Sequence, residues 1–453
     1  MKPNILILSI DSLRPDRIFG SDKSAITPTM DKLIKNGIYF SQVISSADAT
    51  GLCLGSFATA KYSFQTGSTQ FSIDPNMFAY FQLFKNNDYN TYATVPDHTF
   101  FLKLTKIFTD SDPYVYYKRE SWLQLVGGIG ESIINRIKTK NKEPWLHFIH
   151  LMDLHAPFYI PKEFDSENFG KTRFDRMVSS IDSWLGKIIE EIDLTNTLVI
   201  VTADHGDYIP IIENWEKPAN FPPIFKKLKK TFPMFEPIGV KILHKYVRFR
   251  KNRNAKKFKK RLTEKQYHAL LGRAQEALYD DSVRIPLIFS GYGIQNPKVI
   301  SQQVRQVDIF PTIADIVNIL NSDDTVDGRS LVPLINGDSL NEMPAYIETG
   351  ITWVKEPNAK LPKHQGKIIG IRTPGFKYWR SRNDPKKNVT LFDLKQDPQE
   401  DKNIADQNPS IVNEMEQKLE SIRKNYIHKE QNHVLPEDEK IIEEELRKLG
   451  YIG

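Results

Sequence analysis

Residues 197–207 read TLVIVTADHGD. Thr197 to Val201 is a continuous β-branched and aliphatic run of strand length, the pattern of a strand buried on both faces of a parallel sheet. An acid, an imidazole, a glycine and a second acid follow it at once. In such sheets the chemistry gathers beyond the carboxyl ends of the strands, which puts Asp204 and His205 where a site is expected.

The same grammar extends outward on both sides. PNILILSID (3–11) is an apolar strand ending in Asp11, and TPTMDKLIKNGIYFSQVIS (27–45) reads as a capped amphipathic helix, a glycine stop at Gly37 and a second strand. PWLHFIHLMD (144–153) is a strand, and TRFDRMVSSIDSWLGKIIEEID (172–193) is a helix with apolar residues three and four apart. VRIPLIFSG (283–291) and QVDIFPTIADIV (306–317) continue the βαβ pattern, which breaks only over 208–276, with prolines (Pro218, Pro222, Pro223, Pro233, Pro237) and then a lysine-rich run. From about Asn341 the texture shifts to short strand-like pieces, KIIGIRTPGFKYW (367–379) and VTLFDL (389–394), and a polar helix, IVNEMEQKLESIRKNY (411–426). The expected fold is α/β: a central, mostly parallel sheet between helices over 1–340, interrupted by a basic insertion at 208–276, then a small C-terminal α+β lobe with a helical tail over 341–453.

Composition narrows the chemistry. With 453 residues, 40% hydrophobic, the chain is long enough for a large core and a second lobe. Its one cysteine, Cys53, excludes a disulfide framework and a cysteine-cluster metal site, which leaves oxygen and histidine ligands. No apolar run approaches the ~20 residues of a membrane span, and the N-terminus enters a strand without a basic, long-apolar leader. The expected location is cytoplasmic, or peripheral at a membrane surface. Fifteen Lys or Arg against one acid lie between Phe225 and Arg261, so this segment carries +14 and the rest of the chain −8 within the total of +6. Its phenylalanines and tyrosine alternate with the lysines and arginines. An anionic lipid surface or a polyanionic saccharide suits it, and nucleic acid is a weaker match.

Three strand ends deliver polar groups: Asp11 after NILILSI, Asp153 and His155 after HFIHLM, and Asp204 and His205 after LVIVTA. Ends at one edge of a parallel sheet converge, so these side chains are expected around one cavity. Two carboxylates and an imidazole suit a divalent cation, whose lost hydration needs anionic oxygens in compensation.

PNILILSIDSLRPDRIFG (3–20), TPTMDKLIKNGIYFSQVISS (27–46), NTLVIVTADHGD (196–207), LYDDSVRIPLIFSG (278–291), VRQVDIFPTIADIV (304–317) with DGRSLVPLI (327–335), and GIRTPGFKYW (370–379) with LFDLKQDPQEDKNIAD (391–406) resemble, in order, the signature blocks of the sulfatase family within the alkaline phosphatase superfamily. The tail EEELRKLGYIG resembles the usual ending. The resemblance implies an alkaline-phosphatase-like fold and a metal-dependent hydrolase or transferase of sulfate or phosphate esters. It implies one or two divalent ions (Ca, Mn or Zn), with Asp11, Asp204, His205 and the nucleophile as ligands. Its substrate is expected to be a small-molecule, saccharide-linked or lipid-linked ester.

Most of the family carries Cys-x-Pro-x-Arg at the nucleophile, the cysteine oxidised to formylglycine; the matching region here is ADATGLCLGSFATAKYSFQTG (47–67). Anchoring on SFATAKYSF places Thr50 at the nucleophile. Anchoring on Cys53 places Gly55 and Phe57 where the proline and arginine belong, without the maturation signal. Thr50 is favoured, and it resembles the phosphatase, phosphodiesterase and phosphoglycerol-transferase branches, because a threonine ester has no second hydroxyl through which to shed sulfate. Phosphoester is therefore favoured over sulfate ester. Ser12 stands where sulfatases usually carry a second acid, and VPDH (95–98) has Pro96 in the place of a lysine while His98 keeps the final histidine. His155 matches the histidine that touches ester oxygens or protonates the leaving group. Asp153, Ser12 and Arg14 are candidates for a second metal or for substrate, Arg14 and Arg284 also for structural ion pairs; Lys265, His268 and His244 compete for a further polar role. The rival reading is an inactive sulfatase-like protein that binds polyanions through its basic insertion.

Overall fold

The computed structural model describes residues 2–69, 79–115, 125–155, 159–209, 253, 256–271, 277–319, 325–350 and 367–424. Most of the basic run, with His244 and the tail, lies outside them.

Nine strands form the large sheet: β1 (Asn4–Ile10), β2 (Ile38–Ile44), β3 (Asn90–Pro96), β4 (Asp110–Tyr114), β5 (Trp145–Leu151), β6 (Thr197–Thr202), β7 (Arg284–Gly291), β8 (Lys298–Ile300) and β9 (Val304–Arg305). Their order is β4-β3-β5-β1-β6-β7-β2-β8, with β9 beside β2. Every residue of β1, β5 and β6 is buried, as near-continuous apolar runs require of central strands covered on both faces. β1 runs parallel to β5 and β6 in a register that sets Ser9 beside His150 and Thr202. Asp11, two residues beyond Ser9, therefore emerges at the same edge as Asp204, two residues beyond Thr202.

One strand departs from the expected direction. β7 is antiparallel to both β6 and β2. The chain that leaves β6 comes back to the same edge of the sheet, where Gly206 N donates to Ser282 O at 2.9 Å, so β7 has to run the opposite way. A Cβ at Gly206 would meet the Asp281 carbonyl oxygen at 2.2 Å, which is why the residue after the histidine has none.

Helix α1 (Pro28–Lys35) starts as expected, but Thr27 makes no side-chain cap bond. Its free N-terminal amides are satisfied from another helix: Asp182 accepts from Thr29 N at 2.9 Å and Met30 N at 2.8 Å. Burial pushes the Asp182 carboxyl up to about 6, against the pull of those amides. Following helix α2 (Thr50–Thr59) and α3 (Thr99–Thr105), the donor helix α4 (Arg173–Glu190) opens with a Thr172–Asp175 capping box. It buries Phe174, Met177, Val178, Ile181, Leu185 and Ile188 on one face.

The C-terminal lobe is a four-stranded antiparallel sheet, β10 (Ala345–Glu348), β11 (Ile368–Arg372), β12 (Phe376–Ser381) and β13 (Thr390–Asp393), backed by the long helix Pro409–Lys424. It touches the loop before α2: Ala47 bridges Glu348, and Gly350 N donates to Asp48 Oδ1 at 2.6 Å. A Cβ on Gly350 would meet that of Ala49 at 2.3 Å. The small lobe thus abuts the residue next to Thr50.

Candidate active site

Asp11, Asp204 and His205 converge at the carboxyl ends of β1 and β6, all fully buried, with one ligand atom of each within 4.8 Å of the others. His205 Nδ1 lies 2.8 Å from Gly206 O. A carbonyl only accepts, so Nδ1 carries the proton and Nε2 offers its lone pair to the cluster. Asp204 Oδ1 accepts from the backbone amides of Ser12 at 3.1 Å and His205 at 2.8 Å, whereas its Oδ2, buried and 3.4 Å from His205 Nε2, has no hydrogen-bond partner. A buried carboxylate oxygen without a partner is costly unless a cation meets it. Two carboxylates, an imidazole and a hydroxyl form a donor set that fits a divalent ion.

Thr50 supplies the hydroxyl. As the first residue of α2, with Ala49 in the cap position, it points its Oγ1 at the cluster, 3.3 Å from Asp11 Oδ2 and 3.2 Å from His205 Nε2. Cys53, one turn further on, is sealed in the interior and donates to Ala47 O at 3.0 Å. Burial, together with the Asp204 charge, raises the Cys53 thiol well above its usual range, so it stays protonated.

The remaining candidates divide between the site and its walls. Ser12 is fully buried and donates its hydroxyl to Asp11 Oδ1. Arg14 pairs with Asp16 at 2.8 Å and Asp281 at 2.7 Å and donates to the Asp207 carbonyl, so it braces the turn after β6. Burial alone would lower the Arg14 pKa; Asp281 and Asp16 more than offset it and hold the charge. Arg284 lends its charge to Asp16 and Asp280. Lys265 reaches Asp281 and Glu400, and His268 rests against the Tyr279 ring, so both face the small lobe. His98 is half-buried just before α3, and His155 is half-buried with its amide bonded to Met152 O.

Asp153 stands apart from the converging trio. Its Oδ1 accepts from Leu125 N at 3.3 Å, its Oδ2 is buried without a partner, and burial pushes the carboxyl up to about 7. A folded-state pKa above the unfolded value adds stability that is complete below pH ~4 and is lost as pH rises through ~7. Asp153→Asn is therefore expected to gain on wild type between pH ~4 and ~8, by up to ~4 kcal/mol, in denaturant unfolding measured across that range. Equal curves would show that the carboxyl ionises freely.

Two contributors carried no signal in the strand and helix patterns. His150, fully buried in β5, bonds Ser9 Oγ through Nδ1 at 3.0 Å and packs against the Phe101 ring in a tilted arrangement. Burial lowers its pKa, and the charges of Asp204 and Asp11 act the other way. Gln306 donates to Asp204 O at 2.7 Å and accepts from Ser46 N and Oγ at 3.3 Å, tying the β6 end to the loop that leads to Thr50. It falls in a block matched to the family, but a buried glutamine there is not distinguishable by pattern from a helix cap.

Fold and site together define an α/β protein with a buried Asp11, Asp204 and His205 cluster that could hold a metal ion and a hydroxyl at a helix start. The profile of the Sulfatase family matches residues 3–319, and that of the N-sulphoglucosamine sulphohydrolase C-terminal region matches 274–425. The chain belongs to the sulfatase family. It is 33% identical over 150 residues to arylsulfatase K of Mus musculus, covering 32% of this chain and 26% of that protein. To N-acetylgalactosamine-6-O-sulfatase of Bacteroides thetaiotaomicron it is 24% identical over 308 residues, 65% of this chain and 51% of the relative. The chain thus spans about a quarter to a half of the length of these relatives. A solved structure in complex with its substrate D-glucosamine-2-N,6-O-disulfate superposes with a TM-score of 0.65 at 15% identity, covering 96% of this chain and 100% of the other. At that identity the likeness concerns the fold.

Proposed function

We propose that the protein is a metal-dependent hydrolase or transferase of a sulfate or phosphate ester that works through a covalent ester on Thr50. The observation that carries this reading is the Thr50 hydroxyl at 3.3 Å from Asp11 and 3.2 Å from His205, with the thiol of Cys53 buried and bonded elsewhere. Asp11, Asp204, His205 and Thr50 would hold a divalent ion, whose charge would acidify the hydroxyl and offset the oxyanion. Thr50 Oγ, its proton released to water, forms its bond to phosphorus or sulfur as the bond to the ester oxygen breaks, and His155 gives that oxygen a proton. Water or an acceptor alcohol then breaks the threonine ester and restores the hydroxyl. Because this ester has no second hydroxyl to eliminate through, attack at the central atom must release the product, and that favours phosphate. The relatives named for sulfated sugars support a saccharide as the alcohol part, and the basic run entering the chain soon after β6 supports an anionic one.

The test supplies aryl phosphate, bis-aryl phosphate and aryl sulfate with Ca, Mn or Zn in turn, then looks for a Thr50 adduct by peptide mass spectrometry. A phosphate ester is expected to turn over fastest and to leave the adduct. Turnover of the sulfate alone moves the substrate class to sulfate; ion binding without any turnover favours a polyanion-binding role.

A further inference from the structure

Ser12 combines three properties that few residues share. Its φ is +65°, in the left-handed region that non-glycine residues seldom occupy, and it is fully buried. Its two polar groups go to two different acids: the amide donates to Asp204 Oδ1 and the hydroxyl to Asp11 Oδ1. The left-handed turn makes this double contact, because it aims the Ser12 amide across to β6 while the side chain folds back on its neighbour. A backbone held in a sparsely populated conformation at such a point is a clue to function.

The consequence falls on the opposite oxygens. With both Oδ1 atoms occupied, Asp11 turns Oδ2 towards Thr50 and Asp204 presents its unpartnered Oδ2 beside His205 Nε2. Each acid is thereby oriented with one oxygen held by Ser12 and the other facing the cluster. The site then offers two carboxylate oxygens, one imidazole nitrogen and one hydroxyl, a small mixed set. Calcium takes six to eight oxygens, often from bidentate carboxylates, whereas zinc takes imidazole and carboxylate in a four-ligand site and manganese completes six ligands with water.

The geometry points to Ser12 as a positioning residue that locks Asp11 and Asp204 to single-oxygen ligation and thereby sets the centre's preference for a borderline ion, Mn or Zn, over Ca. It rests on the divalent-ion centre of the reading above and not on the choice of nucleophile or ester. An acid at this place would add a third carboxylate and release the Asp11 oxygen that the hydroxyl now holds.

Equilibrium titration of the full chain with Mn, Zn and Ca chlorides, read by calorimetry in the absence of substrate, tests this directly. Ser12→Gly keeps the left-handed backbone and its amide bond to Asp204 and removes the hydroxyl's hold on Asp11; Ser12→Asp suits the same φ, since Asp enters that region more readily than most residues. The wild-type chain is expected to bind Mn or Zn at least ~10-fold more tightly than Ca. Ser12→Gly is expected to shrink that ratio severalfold, and Ser12→Asp by ~10-fold or more, with the circular dichroism of all three chains alike. Wild-type-like ratios in the glycine variant overturn the inference and leave the function reading intact, even if the aspartate variant fails to fold. A wild-type chain that holds no ion overturns both.

Discussion

Thr50→Ala is expected to lower turnover of the preferred ester by at least ~10³-fold, while Cys53→Ala leaves it within about threefold. The two residues lie one helical turn apart, and their surroundings differ in kind. The threonine oxygen stands at hydrogen-bond range of Asp11 and His205 at the mouth of a helix. The cysteine sulfur is enclosed, donates to Ala47 O and is held protonated by burial. Thr50→Ser keeps the hydroxyl and is expected to retain most of the activity, which separates loss of the nucleophile from loss of packing. Binding of the divalent ion, measured separately by titration, should weaken only modestly in Thr50→Ala because Asp11, Asp204 and His205 remain. Inactivation by Cys53→Ala with Thr50→Ala still active would falsify the assignment and return the nucleophile to the thiol.

The largest loss of stability is expected at Lys377→Met, about 3–5 kcal/mol in denaturant unfolding. Lys377 is fully buried on β12 and pairs with Asp280 and, at 2.5 Å, with Glu400. Glu400 in turn accepts from the Asp280 amide at 2.7 Å, so one buried lysine bridges two acids where the small lobe meets the turn before β7. Burial would raise Asp280, yet Arg372, Lys377 and Arg284 hold it well below the usual carboxylate range. Burial raises Glu400, and Lys377 is the first charge opposing that rise. Methionine fills the volume and removes the charge, leaving Glu400 to ionise against burial. The sign with pH follows. In wild type the Asp280 contribution is present above its unfolded pKa and lost as pH falls. In the variant the further-raised Glu400 favours low pH and loses stability as pH rises. The deficit is therefore expected to be larger at pH ~8 than at pH ~5. A deficit of under ~1 kcal/mol at pH ~8 would mean the lobe contact does not depend on this charge.

Much of this molecule was legible before its structure. β1, β5 and β6 announce themselves because a strand covered on both faces must be apolar throughout, and the α4 stripe because a helix on a sheet buries every third or fourth residue. Asp11, Asp204 and His205 were legible for a related reason: parallel strands ending at one edge bring their next residues together, so adjacency in space follows from equivalent position along separate strands. Where direction depended on the return path of the chain, pattern was silent, and β7 runs antiparallel because residues 277–283 arrive at the edge β6 leaves. The cap of α1 was misplaced because its amides are satisfied by Asp182, more than 150 residues away. His150 hid in an apolar strand, since a buried imidazole bonded to a neighbouring serine breaks no periodicity.

What the sequence by itself determined is the order of buried strands and helices, the family, and that Asp11, Asp204 and His205 lie at the carboxyl edge, though it grouped Asp153 with them; these follow from local burial patterns repeated along the chain. Only the tertiary structure decided which hydroxyl meets them, how Ser12 splits each acid into a held and an offered oxygen, and how the small lobe is keyed to the turn before β7. Those features rest on distances of about 3 Å between residues far apart in the chain, and hydrogen bonds and ion pairs at that range depend on atomic placement that no one-dimensional pattern encodes.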